Sequence, residues 1–317
     1  MAAIKPGRLK TASRAGSLAP ARRAPGPGTR TLISPVRLNR PAGRRIYWAL
    51  VIVVVLAFSV AFLGPLYWMV TGGLKTGPEI AHVPPTLFPQ DPDPGNYVDA
   101  WIGVELGRLL LNTIWYAFGA LGFQLVFGVA AAYAFSKLRP IFGNVILGAM
   151  LATLMIPATV LVIPQYVTVI DMPIFGWNLL NTPWAIWLPA VTSAFNIFLL
   201  KRFFDSIPND MLQAAAIDGA GPLRVLWSII LPVSRPILGV VSIFSVTATF
   251  KDFLWPLLVQ PSPSTKTLNV GIYAFSTGLG QNVVIAAAVI AAIPMIIFFL
   301  IFQKNIMSGL TVGSIKG

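Results

Sequence analysis

The chain has 317 residues, 56% of them hydrophobic and 10% charged, where a soluble globular protein carries about 25% charged residues. That is too little charge to coat a water-facing surface of this size, so the expected solvent is lipid. The net charge of +13 is concentrated in residues 1–45, which hold eleven Lys or Arg and no acid; it marks a tail, which argues against a nucleic-acid-binding domain, and the absence of cysteine removes disulfides, thiolate nucleophiles and cysteine metal sites.

Residues 1–45, with runs such as "GSLAPARRAPGPGTR", have no apolar period and read as a basic, disordered cytoplasmic tail. An acid-poor, Arg-rich start is also shared with organellar transit peptides. Residues 46–317 read as one all-α integral membrane domain. Six apolar segments are long enough to cross a bilayer, which takes about 20 residues. They lie at residues 46–69, within 109–136, and near 142–163, 182–200, 236–259 and 283–302. The fifth is interrupted by Lys251 and Asp252. Pro65, Pro157, Pro189, Pro256 and Pro294 fall inside these spans, where proline is accepted if neighbours satisfy the freed carbonyl.

The basic residues set the orientation. With the N-terminus inside, the tail and Lys137, Arg139, Lys201, Arg202, Arg224, Arg235, Lys304 and Lys316 lie on the cytoplasmic side, nineteen of 23. Only Lys75, Arg108 and Lys266 fall outside. The asymmetry predicts a multi-pass protein with both termini cytoplasmic. Two long outer loops, residues 70–108 and 260–282, are either contact points for a partner or mobile connections. The single histidine, His82, cannot make a metal site without carboxylate partners and reads as a lone surface histidine, so no metal site is expected.

The inner loop between spans four and five, "IPNDMLQAAAIDGAGPLRVLWSIILPVSRP", predicts a helix-turn-helix. Pro208 opens the first helix, with Ser206 as candidate cap. Ala214, Ala215 and Ala216 favour helix with little bulk. Asp218 and Gly219 end it, and Pro222 opens the second helix. Small residues here allow another backbone to approach closely; an ordinary loop with a helical turn explains the pattern equally well.

This loop resembles the signature of inner-membrane subunits of binding-protein-dependent ABC importers: Glu-Ala-Ala, three residues, Gly, nine residues, Ile, any residue, Leu-Pro. Here Gln213-Ala214-Ala215 is followed by Gly219, then Ile229, Ile230, Leu231 and Pro232. Gln213 stands where the family usually has glutamate. From about residue 64 onward, "PLYWMVTGGLKT", "AAYAFSKLR", "IPATVLVIPQY", "FNIFLLKRFF" and the ending "FQKNIMSGLTVGSIKG" are similar to the maltose and glycerol-phosphate branch. In "TFKDFLWPLL", Phe250 and Lys251 replace the usual Trp-Asn.

The resemblance implies a permease subunit of a bacterial inner membrane, forming half of a route for a sugar, oligosaccharide or related solute. Its implied partners are a second homologous permease, an ATPase dimer at the cytoplasmic face and an extracytoplasmic solute-binding protein. Gln213, Ala214, Ala215, Asp218, Gly219, Leu231 and Pro232 are then the ATPase-docking residues. The chain has no GxxxxGK[ST] phosphate loop, so ATP is expected on the partner, with no cofactor bound and no catalytic residue here. Lys251, Asp252 and Pro256 are candidates for the translocation route, since a charge inside a bilayer should face protein or water. The alternative is that Lys251 snorkels outward and Asp252 pairs with the neighbouring permease. An ion-coupled secondary transporter would show internal repeats and intramembrane acids; a membrane-embedded glycosyl-transfer enzyme would show clustered acids or histidines. Neither pattern stands out here.

Overall fold

The computed structural model describes residues 41–311, with side chains through Gln303. The tail expectation for residues 1–40 lies outside the described residues. Helix α1 spans Pro41–Gly73, so its first turn takes in five residues assigned to the tail. The described residues form helices throughout, with one isolated bridge between Met172 and Trp177. The chain divides at Leu63–Gly64 into two compact units.

In the first unit, residues 41–63 are one helix without a buried side chain. Most of its large apolar residues, Val53, Phe58 and Phe62 among them, are more than half exposed. A helix hydrophobic all round needs lipid or protein as its surroundings.

In the second unit, α2 (Gly77–Ile80) and α3 (Gly95–Gly103) lie within the first long loop. Helix α4 (Leu106–Leu138) is the centre of the packing. Helices α5 (Gly143–Thr153) and α6 (Ala158–Ile170) meet at 108°. Helices α7 (Trp184–Val191) and α8 (Ala194–Asp205) meet at 44°. After α9 (Asn209–Ile217), α10 (Pro222–Val233) and α11 (Arg235–Lys251) meet at 80°. Two short helices, α12 (Leu254–Val259) and α13 (Leu268–Phe275), precede α14 (Gln281–Thr311). Three helices, α1, α4 and α14, are long and apolar enough to span alone, and each of the three bent pairs passes the same test jointly.

The bends have local causes. Pro157 takes extended backbone, with ψ 130°, just ahead of α6. The third span is therefore two helices and not one straight rod. Ser193 caps α8, accepting from the Asn196 N–H at 3.4 Å. Lys251 ends α11, and Asp252, with φ −67° and ψ 131°, leaves the helix.

Helix α4 contributes to three clusters along its length. Leu106 and Leu109 pack with Val283 and Ala286. Tyr116 and Ala120 pack with Ala185 and Trp187. Val129, Ala132 and Tyr133 pack with Phe204, Ile230 and Val241. Gly119 lies against the Trp187 indole where an added Cβ would overlap the ring. Between spanning helices there is no hydrophobic drive, so close approach at small residues supplies the association.

The two long loops are tied down. Asn96 Nδ2 donates to Gly73 O (3.1 Å) and Lys75 O (3.0 Å), and Asn282 Nδ2 donates to Asn96 Oδ1 (2.7 Å). The buried Lys75 donates to Thr86 O and lies over the Trp68 ring. At the last loop, Tyr116 Oη donates to Thr265 O (2.8 Å), and Asn112 Nδ2 to Ser264 O (2.8 Å).

Candidate functional site

The segment joining α8 to α11 is built as a turned helix pair. Ser206 does not cap α9: it closes α8, and its hydroxyl donates to Phe203 O at 2.6 Å. Pro208 occupies the cap position of α9, and Asp210 places an acid in the first turn, where the helix dipole favours negative charge. At the other end Gly219 has φ +75°. The Ala220 N–H reaches Ala215 O (2.9 Å) and the Gly219 N–H reaches Ala216 O (3.1 Å). This double closure is a Schellman turn, with Asp218 as C-cap and Gly219 in the left-handed position it requires. Pro222 stands at the start of α10, where its missing N–H leaves nothing unsatisfied.

One side of the pair is fixed to the core. Phe204, Ile207, Val225, Leu226 and Ile230 are buried against Val129, Ala132 and Tyr133, with Leu212, Ala215 and Leu231 partly buried beside them. Tyr133 Oη donates to Pro222 O at 3.0 Å. The other side is open. Gln213, Ala214, Asp218, Gly219 and Pro232 are exposed. So are Ile217 at 87%, Leu223 at 72% and Trp227 at 70%. These three apolar residues were not among the sequence candidates, although Leu223 and Trp227 share an i, i+4 spacing. Of the seven docking candidates, Ala215 and Leu231 therefore serve the packing of the pair and five face outward.

A second feature lies at the broken fifth span. A cavity of about 420 Å³ is lined by Thr159 and Gln165 of α6, Thr249 of α11, then Asp252, Trp255 and Pro256. Asp252 Oδ1 accepts from the Trp255 N–H at 3.4 Å, and Trp255 Nε1 donates to Ala185 O at 2.9 Å. The helix does not kink at Pro256; it stops at Lys251 and restarts at Leu254. Asp252 and Pro256 thus come together at the cavity, while Lys251 is exposed and outside its lining.

A rigid helix pair with an open apolar face, joined to a bundle of apolar helices, is a form suited to docking. The family model described as "Binding-protein-dependent transport system inner membrane component" matches residues 124–312. The chain belongs to this family. It is a transport permease subunit and not an enzyme, and its family is a component of the inner membrane. The chain is similar to the sulfoquinovosyl glycerol transport system permease protein of Agrobacterium fabrum, with 31% identity over 80% of this chain and 89% of the relative. It is also similar to the melibiose/raffinose/stachyose import permease protein of Bacillus subtilis, with 29% identity over 89% of this chain and 100% of the relative. A crystal structure of a bacterial ABC transporter that imports the acidic polysaccharide alginate is similar in fold, with a TM-score of 0.72 and 25% identity, over 82% of this chain and 96% of the other.

Proposed function

We propose that the chain forms half of the translocation route of an ATP-driven importer for a sugar or oligosaccharide, and that the α9–α10 pair is where a separate ATPase docks. The carrying observation is the contrast between the two sides of that pair: one buried in the core cluster, the other presenting Ile217, Leu223 and Trp227 to solvent. A load applied to the open side passes into α4 and α8 through the buried one. In this reading the bundle crosses the membrane six times, with each bent pair making one span. The pair is then cytoplasmic, a placement supported by the basic residues at the ends of spans two and four. ATP is bound and hydrolysed by the ATPase dimer, a second permease completes the route, and an extracytoplasmic binding protein delivers the solute.

The substrate class is supported by the relatives' names, which describe sugars and sugar derivatives. It is supported also by the cavity at Asp252, where hydroxyl, amide and carboxylate groups stand beside an indole. Such a set suits a hydroxyl-rich solute, and Lys251 has no part in it. Uptake of a labelled panel of mono- and oligosaccharides, in cells with and without the gene, tests the assignment. The reading expects one carbohydrate to lose uptake in the deletion and regain it on complementation. Loss of an amino acid or inorganic ion in place of a carbohydrate would reject it.

A further inference from the structure

The ends of three candidate spans border a cavity of about 510 Å³, separate from the cavity at Asp252 and lined also by Asn209 at the start of α9. It is bounded by the π turn Ala134–Leu138, the start of α5 and the last turn of α8. Its polar floor holds Ser136, Lys137, Arg139, Lys201 and Asp205. The acid is already compensated: Asp205 Oδ1 accepts from Ser136 Oγ (2.8 Å), and Oδ2 accepts from Lys201 Nζ (2.8 Å). Lys137 Nζ spends one proton on Ile207 O (3.1 Å) and, as an ammonium, keeps two. Arg139 Nε points to Ser136 O at 3.4 Å, and its two terminal amino groups have no partner among the described residues. Two cations thus remain available to an anion.

Next to these cations in the chain stand bare apolar side chains. Leu138, Ile141 and Phe142 are 54%, 96% and 68% exposed. Ile141 also lines the cavity. A cationic, donor-rich floor beside bare apolar side chains, at the ends of spans, repeats the order of headgroup and acyl chain in a lipid leaflet.

We propose that this cavity binds the phosphate of an anionic phospholipid, held by Lys137 and Arg139, with its acyl chains against Leu138, Ile141 and Phe142. The proposal rests on the membrane placement of the family and not on the docking reading. The bound lipid would fill the space between the ends of spans two, three and four, beside the first turn of α9. Basic pockets between spanning helices are suited to such headgroups, and each basic residue near the surface is worth about 1 kcal/mol, which is about fivefold in retention.

The test uses the full-length chain in detergent, titrated with phosphatidylglycerol and, separately, with phosphatidylcholine, and read by native mass spectrometry. The expected result is preferential retention of phosphatidylglycerol, falling about fivefold for each charge removed in Lys137→Gln and Arg139→Gln, with phosphatidylcholine unaffected. Ile141→Ser should weaken retention without changing the headgroup preference. The change at exposed Arg139 keeps the test open should Lys137→Gln fail to fold. Unchanged retention in both charge variants would overturn the proposal. Displacement of the lipid by millimolar inorganic phosphate would overturn the lipid assignment and leave a free-anion site. Retention unchanged while Arg139→Gln loses its ATPase partner would assign the groove to that protein instead.

Discussion

At Gly219 the backbone has φ +75°, and an added Cβ would meet no atom within 4 Å. The constraint is conformational and not steric. Gly219→Ala should therefore fold, at a cost of about 1–2 kcal/mol for a left-handed L-residue, seen as a lower thermal midpoint of the purified chain. An unchanged midpoint would mean that the turn is not held in this conformation. Tyr133 makes a different contribution. Its hydroxyl bond to Pro222 O ties α4 to the start of α10, and Tyr133→Phe should cost about 0.5–1.5 kcal/mol. In the first long loop, Glu79 accepts from Thr86 Oγ1 (2.6 Å) and from the Gln90 N–H (3.0 Å). The Thr86 hydroxyl, above all, holds its carboxyl below the ordinary value, with the Gln90 amide and Lys75 acting the same way against some desolvation. A carboxylate depressed in the folded state stabilises above its unfolded pKa, and that contribution is lost as pH falls through the folded value. Protection of residues 79–90 from hydrogen exchange, corrected for intrinsic rates, should thus decline as pH falls below the ordinary glutamate range. Thr86→Ala should move the decline to higher pH; an unmoved decline would remove Glu79 from the account.

At the scale of elements, Asp252 and Lys251 part company. Asp252 lines the cavity and caps the restart of the chain at Trp255, whereas Lys251 ends α11 outside it. Asp252→Ala should insert and assemble yet lose most transport, while Lys251→Met should transport close to the wild-type rate. Equal transport by both variants would detach the cavity from the route. The break between them was visible in the sequence only as an interruption of an apolar run. Pro256 was legible because its chemistry is local, but a stop at Lys251 depends on what surrounds the freed groups. The same limit explains α5 and α6. Pro157 was legible and tolerable in a span, yet a 108° turn comes from its extended backbone followed by a fresh helix start. Helices α1, α4 and α14 were legible because an uninterrupted apolar run has few other uses. The turn at Gly219 was legible because its chemistry is contained in six consecutive residues. The exposure of Leu223 and Trp227 was not, since apolar residues in a short helix read as core until the packing of Val225 and Leu226 assigns the inner face.

For the whole molecule, three long helices and three bent pairs among the described residues pass the length and hydropathy test for a span, and the proposed reading of six crossings puts both termini in the cytoplasm. The chain has no native cysteine, so single cysteines can report topology. A membrane-impermeant thiol reagent should label position 263 from outside intact cells and leave position 218 untouched; the reverse pattern would invert the orientation. Transport in this reading depends on a rigid path from the ATPase through α9 and α10 into the bundle. The most direct test is ATP hydrolysis by the assembled transporter, with its binding protein and solute, when the permease carries Gly219→Trp or the pair Leu223→Asp and Trp227→Asp. The account predicts that these permeases insert and pair normally while solute-stimulated hydrolysis falls to the basal rate. Full stimulation in correctly inserted variants would contradict it.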